Sequence, residues 1–280
     1  MRRERCCCAA SQPRSTATGA WFWSIFSSIG KGLTSIISDS KPEIKPDSTR
    51  PDSTWVDRIV CLANSYKHDH RCVAGISLVS KQWVRLIGRQ VSGCLTRQEA
   101  SYPDGKEVAL LDVFEAEFDE KCGSNCHPED AYVTRNPWRL LRRFDEPRDA
   151  RFFEAFVNKG PSILGGCTDR IYGRKIVGAP MDKSLELIHP DDLWWWVRDD
   201  TGKRRNRAIF RAGHVGRVRY DLAVTDPTLL DQLNLLPVGI HPHGLFLKGK
   251  STKTLFTLSL SEPFEGFHYK LVAGVVNLPA

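Results

Sequence analysis

Apolar residues in this chain come in short runs, and turn chemistry ends nearly every one. RIVCLANS from Arg58, RCVAGISLV from Arg71, QWVRLIG from Gln82 and VALLDVFEAEF from Val108 are rich in Val, Ile, Leu and Phe. Gly, Asp, Ser or Pro bounds each of them. Such runs read as strands, and none is long enough for a helical bundle or a membrane span. After a short interlude the pattern resumes. SLELI (184–188), LWWWVRD (193–199), RNRAIFRA (205–212), VRYDLAVTD (218–226), TLFTLSLSEPF (254–264) and FHYKLVAGVVNL (267–278) follow in order. Asp200-Thr201-Gly202-Lys203 and Glu265-Gly266 sit where hairpin turns belong. Strand and helix do not alternate as a doubly wound sheet requires. The expected fold is mainly β with minor α: two small open barrels joined by a short helical segment.

The interlude carries the helix signals. NPWRLLRR (136–143) offers Asn at the N-cap and Pro at the first helical position. DARFFEAFVN (149–158) places Phe152, Phe153, Phe156 and Val157 on one stripe before Lys159-Gly160-Pro161 stops it. Both read as helices, and DPTLLDQL (226–233) reads as a short capped one.

The 280 residues suit a large domain or two small ones. The expected division is a tail over 1–54, a first barrel with its helical extension over 55–160, and a second barrel over 161–280. The tail holds Cys6-Cys7-Cys8, an apolar run over 20–37 and the Pro/Ser/Asp linker SDSKPEIKPDSTRPDST. Its apolar run has helical spacing but is too short and polar to span a bilayer. It reads as a helix packing on a partner or on its own domain, as an upstream extension outside the native protein, or as a membrane-surface contact. No integral membrane association is expected. Nine scattered cysteines read as reduced thiols, so the expected location is cytoplasmic.

Lys plus Arg number 40 against 33 for Asp plus Glu, which permits a polyanionic partner without demanding one. The distribution says more. Residues 99–130 hold ten acids and two bases, whereas 198–219 hold eight bases and two acids. The basic stretch includes Lys203, Arg204, Arg205, Arg207 and Arg211 beside Trp194, Trp195 and Trp196. Cations that track phosphates and aromatic faces that stack bases make a single-strand binding surface. The seven residues Trp194, Trp196, Lys203, Arg204, Arg205, Arg207 and Arg211 are therefore the candidate nucleic-acid site. Against this stand a solvated hairpin face and a core tryptophan cluster.

Other constellations are weaker. His68, Asp69, His70 and Arg71 could form the mouth of a ligand site between the barrels. Cys122, Cys126 and His127, with His68, His70 and Cys72, have zinc-ligand chemistry, but Cys-x3-Cys without a second pair fits a closed site poorly. No metal or other cofactor is expected. Asp191 and Asp192 are adjacent and would point to opposite faces of a strand, and His241-Pro-His243-Gly reads as a turn. No Walker loop, GxSxG, HExxH or GxGxxG appears, so no catalytic residue is assigned and an enzyme is the less favoured reading.

IVCLANSYKHDHRCVAG, WVRLIG, LLDVFEAEF, HPEDAYV, the GP-ILGG-TDRI stretch and SLSEPFEGFHYKLVAGVV together resemble a family of bacterial proteins with a dual oligonucleotide-binding (OB) domain. The resemblance runs from Trp55 to the C-terminus. It implies two OB-type barrels and a nucleic-acid-associated role, with DNA or RNA as partner and an effector protein beside it, in bacterial defence or repair. The alternatives are an enzyme or nucleotide sensor with its ligand between the barrels, and a protein–protein adaptor.

Overall fold

Along Trp55–Lys67, the first strand (β1), successive side chains enter different cores. Ile59 and Cys61 point into one apolar cluster, and Val60 and Leu62 into another. A strand with both faces covered explains why IVCLA is continuously apolar rather than alternating. The computed structural model describes residues 54–67, 69–90, 93–144, 147–213, 218–246 and 252–279. The expected tail up to residue 53, with its apolar run over 20–37, and His68 lie outside the described residues.

Strands β2 (His70–Ser77), β3 (Trp83–Ile87), β4 (Asp112–Lys121) and β5 (Asp130–Val133) complete a first barrel with β1. Its ring runs β1-β2-β3-β5-β4 and closes by pairing β4 with β1, with β3 and β5 parallel. An extra strand, β6 (Arg139–Arg143), lies along β4. This corrects the helix expected over 136–143. The acidic strand β4 decides the matter: Arg139 binds Glu115, and Arg143 binds Asp112 at 2.7 Å. The Asn136 amide donates to Glu117 instead of capping a helix. Every residue of β6 is exposed, and the segment's buried residue, Trp138, lies before the strand and stacks on Phe114 of β4.

Helix α1 (Pro147–Glu154) follows, then β7 (Arg170–Tyr172), α2 (Gly173–Gly178), β8 (Leu185–Ile188), β9 (Asp191–Asp200), β10 (Lys203–Ala212) and β11 (Val218–Val224). Helix α3 (Pro227–Asn234) is capped by Asp226, and β12 (Gly239–Pro242), β13 (Thr252–Phe264) and β14 (Phe267–Pro279) end the chain's elements. The second sheet runs β12-β9-β10-β11-β14-β13-β8, with β11 and β14 parallel. Strands β8 and β9 are separated only by His189-Pro190. Together they repeat the part of β1. The leading half pairs with β13 as β1 pairs with β4, and the trailing half pairs with β10 as β1 pairs with β2. Both units thus share one OB-type topology, the second with its first strand broken at a proline. Helix α3 occupies the connection after the third strand of the second unit, where the first unit has turns and bridges instead.

The two units pack through a shared apolar seam. Val60, Leu62 and Ile76 of the first meet Leu187, Leu255, Val276 and Leu278 of the second, with Phe144 and Phe153 of the α1 region among them. The approach is closest at Gly274 of β14. A Cβ there would sit 2.1 Å from the carbonyl oxygen of Leu62, at the bulge in β1. Gly274→Ala must push backbone away from backbone and should cost at least about 2 kcal/mol of stability. Gly178→Ala, with open space around it, should cost little. Equal melting midpoints for the two variants would show that β14 is free to move off β1.

Candidate nucleic-acid interface

The outward face of β9 and β10 follows from their register. Side chains alternate, so Trp195 points into the second core while Trp194 and Trp196 point out. Trp195 is fully buried, and Trp194 is 45% exposed. Directly paired residues share a face. Arg205 lies opposite Arg198, Arg207 opposite Trp196, and Ile209 opposite Trp194. On the far side, Ile240 of β12 pairs with Trp196, and Arg211 pairs with Arg219 of β11. The result is an apolar-aromatic strip of Ile240, Trp196, Trp194 and Ile209, bordered by guanidiniums.

Carboxylates orient some of these cations. Arg207 Nε binds Asp221 at 2.5 Å, Arg211 Nε binds Asp192 at 3.3 Å, and Arg198 binds Asp200 at 3.1 Å. Arg198 also lies over the Trp196 ring, 4.6 Å from its centroid. Among the described residues, Lys203, Arg205 and Arg219 have no such partner. They therefore face solvent with no ion pair to break. The turn Thr201-Gly202 has positive φ at both residues, a conformation that joins two twisted strands tightly and holds Lys203 at the tip. Arg204 does not join this face. It has the opposite parity, and its Nη1 donates to the Leu236 carbonyl beyond α3 at 2.7 Å. At one end of the face a cleft of about 310 Å³ is lined by Asp192, Trp194, Ile209, Arg211 and Arg219, among others.

The equivalent face of the first barrel is closed. On β2 and β3 the outward residues are Ala74, Ile76, Trp83 and Arg85, and they pack on the second unit. Arg85 is buried and donates to Asp130 and to the hydroxyls of Ser184 and Ser259. The neighbouring Glu129 carboxylate accepts from the Ser184 and Leu185 amides at 2.6 and 3.2 Å. Asp130 is pushed up to about 6 by burial, against the pull of Arg85.

Of the candidate ligand-mouth and metal residues, Arg71 and His70 lie at the start of β2, and the Cys122–His127 loop lies against the second unit. Arg71 is 2% exposed, held bidentately by Glu107 and stacked 4.3 Å from the Tyr66 centroid. His70 is half-buried at the start of β2. The Cys122–His127 loop is a docking loop. Cys126 packs against the second core, and His127 Nε2 donates to the Leu260 carbonyl at 3.0 Å. Burial, aided by Arg85, lowers the His127 imidazole to about 4. Among the described residues no three His, Cys, Asp or Glu side chains are grouped to hold a metal ion. Asp192 has a positive φ and faces Arg211, while Nε2 of His241 meets the Pro237 carbonyl and Nε2 of His243 the Thr254 hydroxyl, and Nδ1 of His243 is buried without a hydrogen-bond partner.

A cleft of about 940 Å³ on the first barrel, which no residue pattern announces, lies between residues 88–90 and 97–107 on one side and 133–138 on the other. Its walls are mixed in charge. Arg97 is bound to Glu107 at 3.0 Å and Arg89 to Asp119 at 2.7 Å, which leaves Arg135 as its unpaired cation among the described residues. No helix among the described residues is long and apolar enough to cross a membrane. A family model described as a dual OB-containing domain matches residues 57–275. No curated protein matches the chain.

Proposed function

Since this chain belongs to the dual OB-containing domain family, we propose that it binds single-stranded nucleic acid, DNA or RNA, on the outer face of β9, β10 and β11. Barrels of this type are binding modules that use the face of their second and third strands and the adjoining hairpin loops. The observation that carries the reading is an asymmetry between equivalent faces. In the first barrel Ala74, Ile76 and Arg85 are buried, whereas in the second Trp194, Arg205 and Arg211 are exposed. Folding alone does not need two outward tryptophans interleaved with five guanidiniums. A single strand does, because its bases present free faces for stacking and its phosphates a regular line of charge.

The test is binding of single-stranded and duplex oligonucleotides across a salt series. Single strands should bind more tightly than duplexes of the same length. Their affinity should fall linearly with log salt, at a slope of about −0.7 per phosphate contact. A flat salt response or absent binding would sink the reading. The volume of the first-barrel cleft favours a second reading, a nucleotide-sized ligand held there. Its mixed charge makes it the weaker site for a polyanion.

A further inference from the structure

The outward face of the second barrel does not stop at β11. Following direct pairings from one strand to the next gives a single row: Ile240, Trp196, Arg207, Ala223, Leu271. Leu271 of β14 therefore shares the face of Trp196. Side chains repeat every second residue, so Tyr269 and Phe267 face outward too, while His268 and Lys270 are buried. Strand β13 holds one edge of β14, so β7 must lie on the other, the edge that β11 takes further along. There Tyr172 pairs with Phe267 and Arg170 with Tyr269.

These residues form a second aromatic cluster. The Tyr172 and Phe267 ring centroids are 4.3 Å apart, and the Arg170 guanidinium lies 4.7 Å from the Phe267 centroid. Phe264, paired with Phe267 across the hairpin, is 63% exposed, and Tyr172 is 57% exposed. Arg174 and Lys175 follow at the exposed start of α2. Arg170 is also 3.7 Å from the Asp169 carboxylate, whereas Arg174 and Lys175 have no carboxylate partner among the described residues. Aromatic faces left in water beside these cations repeat the chemistry of Trp194 and Trp196 on the same surface.

We infer that a bound single strand continues from the tryptophan face across Arg207 and Arg219 to this cluster, where Tyr172 and Phe264 stack further bases and Arg170, Arg174 and Lys175 meet phosphates. This rests on the reading above and extends it to a longer footprint. Three strand spacings separate β9 from β14, about 14 Å, so a strand must be several nucleotides long to touch both. A short strand reaches the tryptophans alone.

The experiment compares a thymidylate dinucleotide, shorter than that separation, with a strand of about twelve nucleotides, within the range of site sizes for one barrel. In the full chain, Tyr172→Ala with Phe264→Ala should weaken the longer strand about tenfold and leave the shorter one unchanged. Tyr172→Phe with Phe264→Tyr keeps both ring faces and should bind as the parent does, which separates stacking from folding. Arg170→Glu should lower the salt slope for the longer strand by about one unit. If the parent binds both lengths and the alanine variant matches it at both, the extension is wrong and the tryptophan site stands. If both lengths weaken equally, the cluster is not a distal subsite. If the parent binds neither, the tryptophan site and its extension fall together.

Discussion

Replacing Trp194 and Trp196 together with alanine should weaken single-strand binding at least about thirtyfold, roughly 2 kcal/mol, while the protein keeps its melting temperature. Each base stacked on an aromatic ring is worth about 1–3 kcal/mol, and both rings lie outside the core. The salt slope should hardly move, because no cation is lost. The intervening residue gives the opposite result. Trp195 is fully buried against Phe256 and His243, so Trp195→Ala should cost about 3–5 kcal/mol of stability through the cavity it leaves. Three adjacent tryptophans would then separate into two binding residues and one folding residue. Titrations of each variant, alongside thermal melts, check both halves. A double variant that binds like the parent would remove stacking from the account.

Reversing Lys203 and Arg205 to glutamate should weaken oligonucleotide binding at least about tenfold, near 1.4 kcal/mol, and lower the salt slope by about one to two units. Neither cation has a carboxylate partner among the described residues. Their reversal therefore breaks no internal ion pair and leaves the hairpin turn intact. Arg207 would be a poorer choice, because its change also strands Asp221. Lys106→Glu with Lys121→Glu supplies the control. It changes net charge by the same amount on the acidic side of the first barrel, and binding should barely respond. Equal losses from both pairs would mean that net charge alone matters and that no site has been located.

How far residues alone reach into this account depends on the range of the interaction. Parity along LWWWVRD and RNRAIFRA is local, so the outward set of Arg205, Arg207 and Ile209 is visible without coordinates. Turn chemistry at Gly202 and Gly266 places both long hairpins. The strand β6 is hidden, because its helix-like start at Asn136-Pro137 is overruled by Glu115 and Asp112 on a neighbouring strand. Strand β7 has three residues, too few for a pattern, and so its aromatic cluster escapes notice. Alternating aromatics in PFEGFHY were the available signal. Closure of the first barrel's face is the least legible feature. Ala74, Ile76 and Arg85 look like any strand face until the second barrel is packed against them.

The central claim is that the open face of the second barrel, and not the cleft of the first, holds the nucleic acid. Photo-crosslinking a single-stranded oligonucleotide to the full chain and mapping the attached peptides tests it most directly. Adducts are expected on Trp194 and Trp196 and within the segment 191–212. Adducts confined to residues 88–90, 97–107 and 133–138 would contradict it.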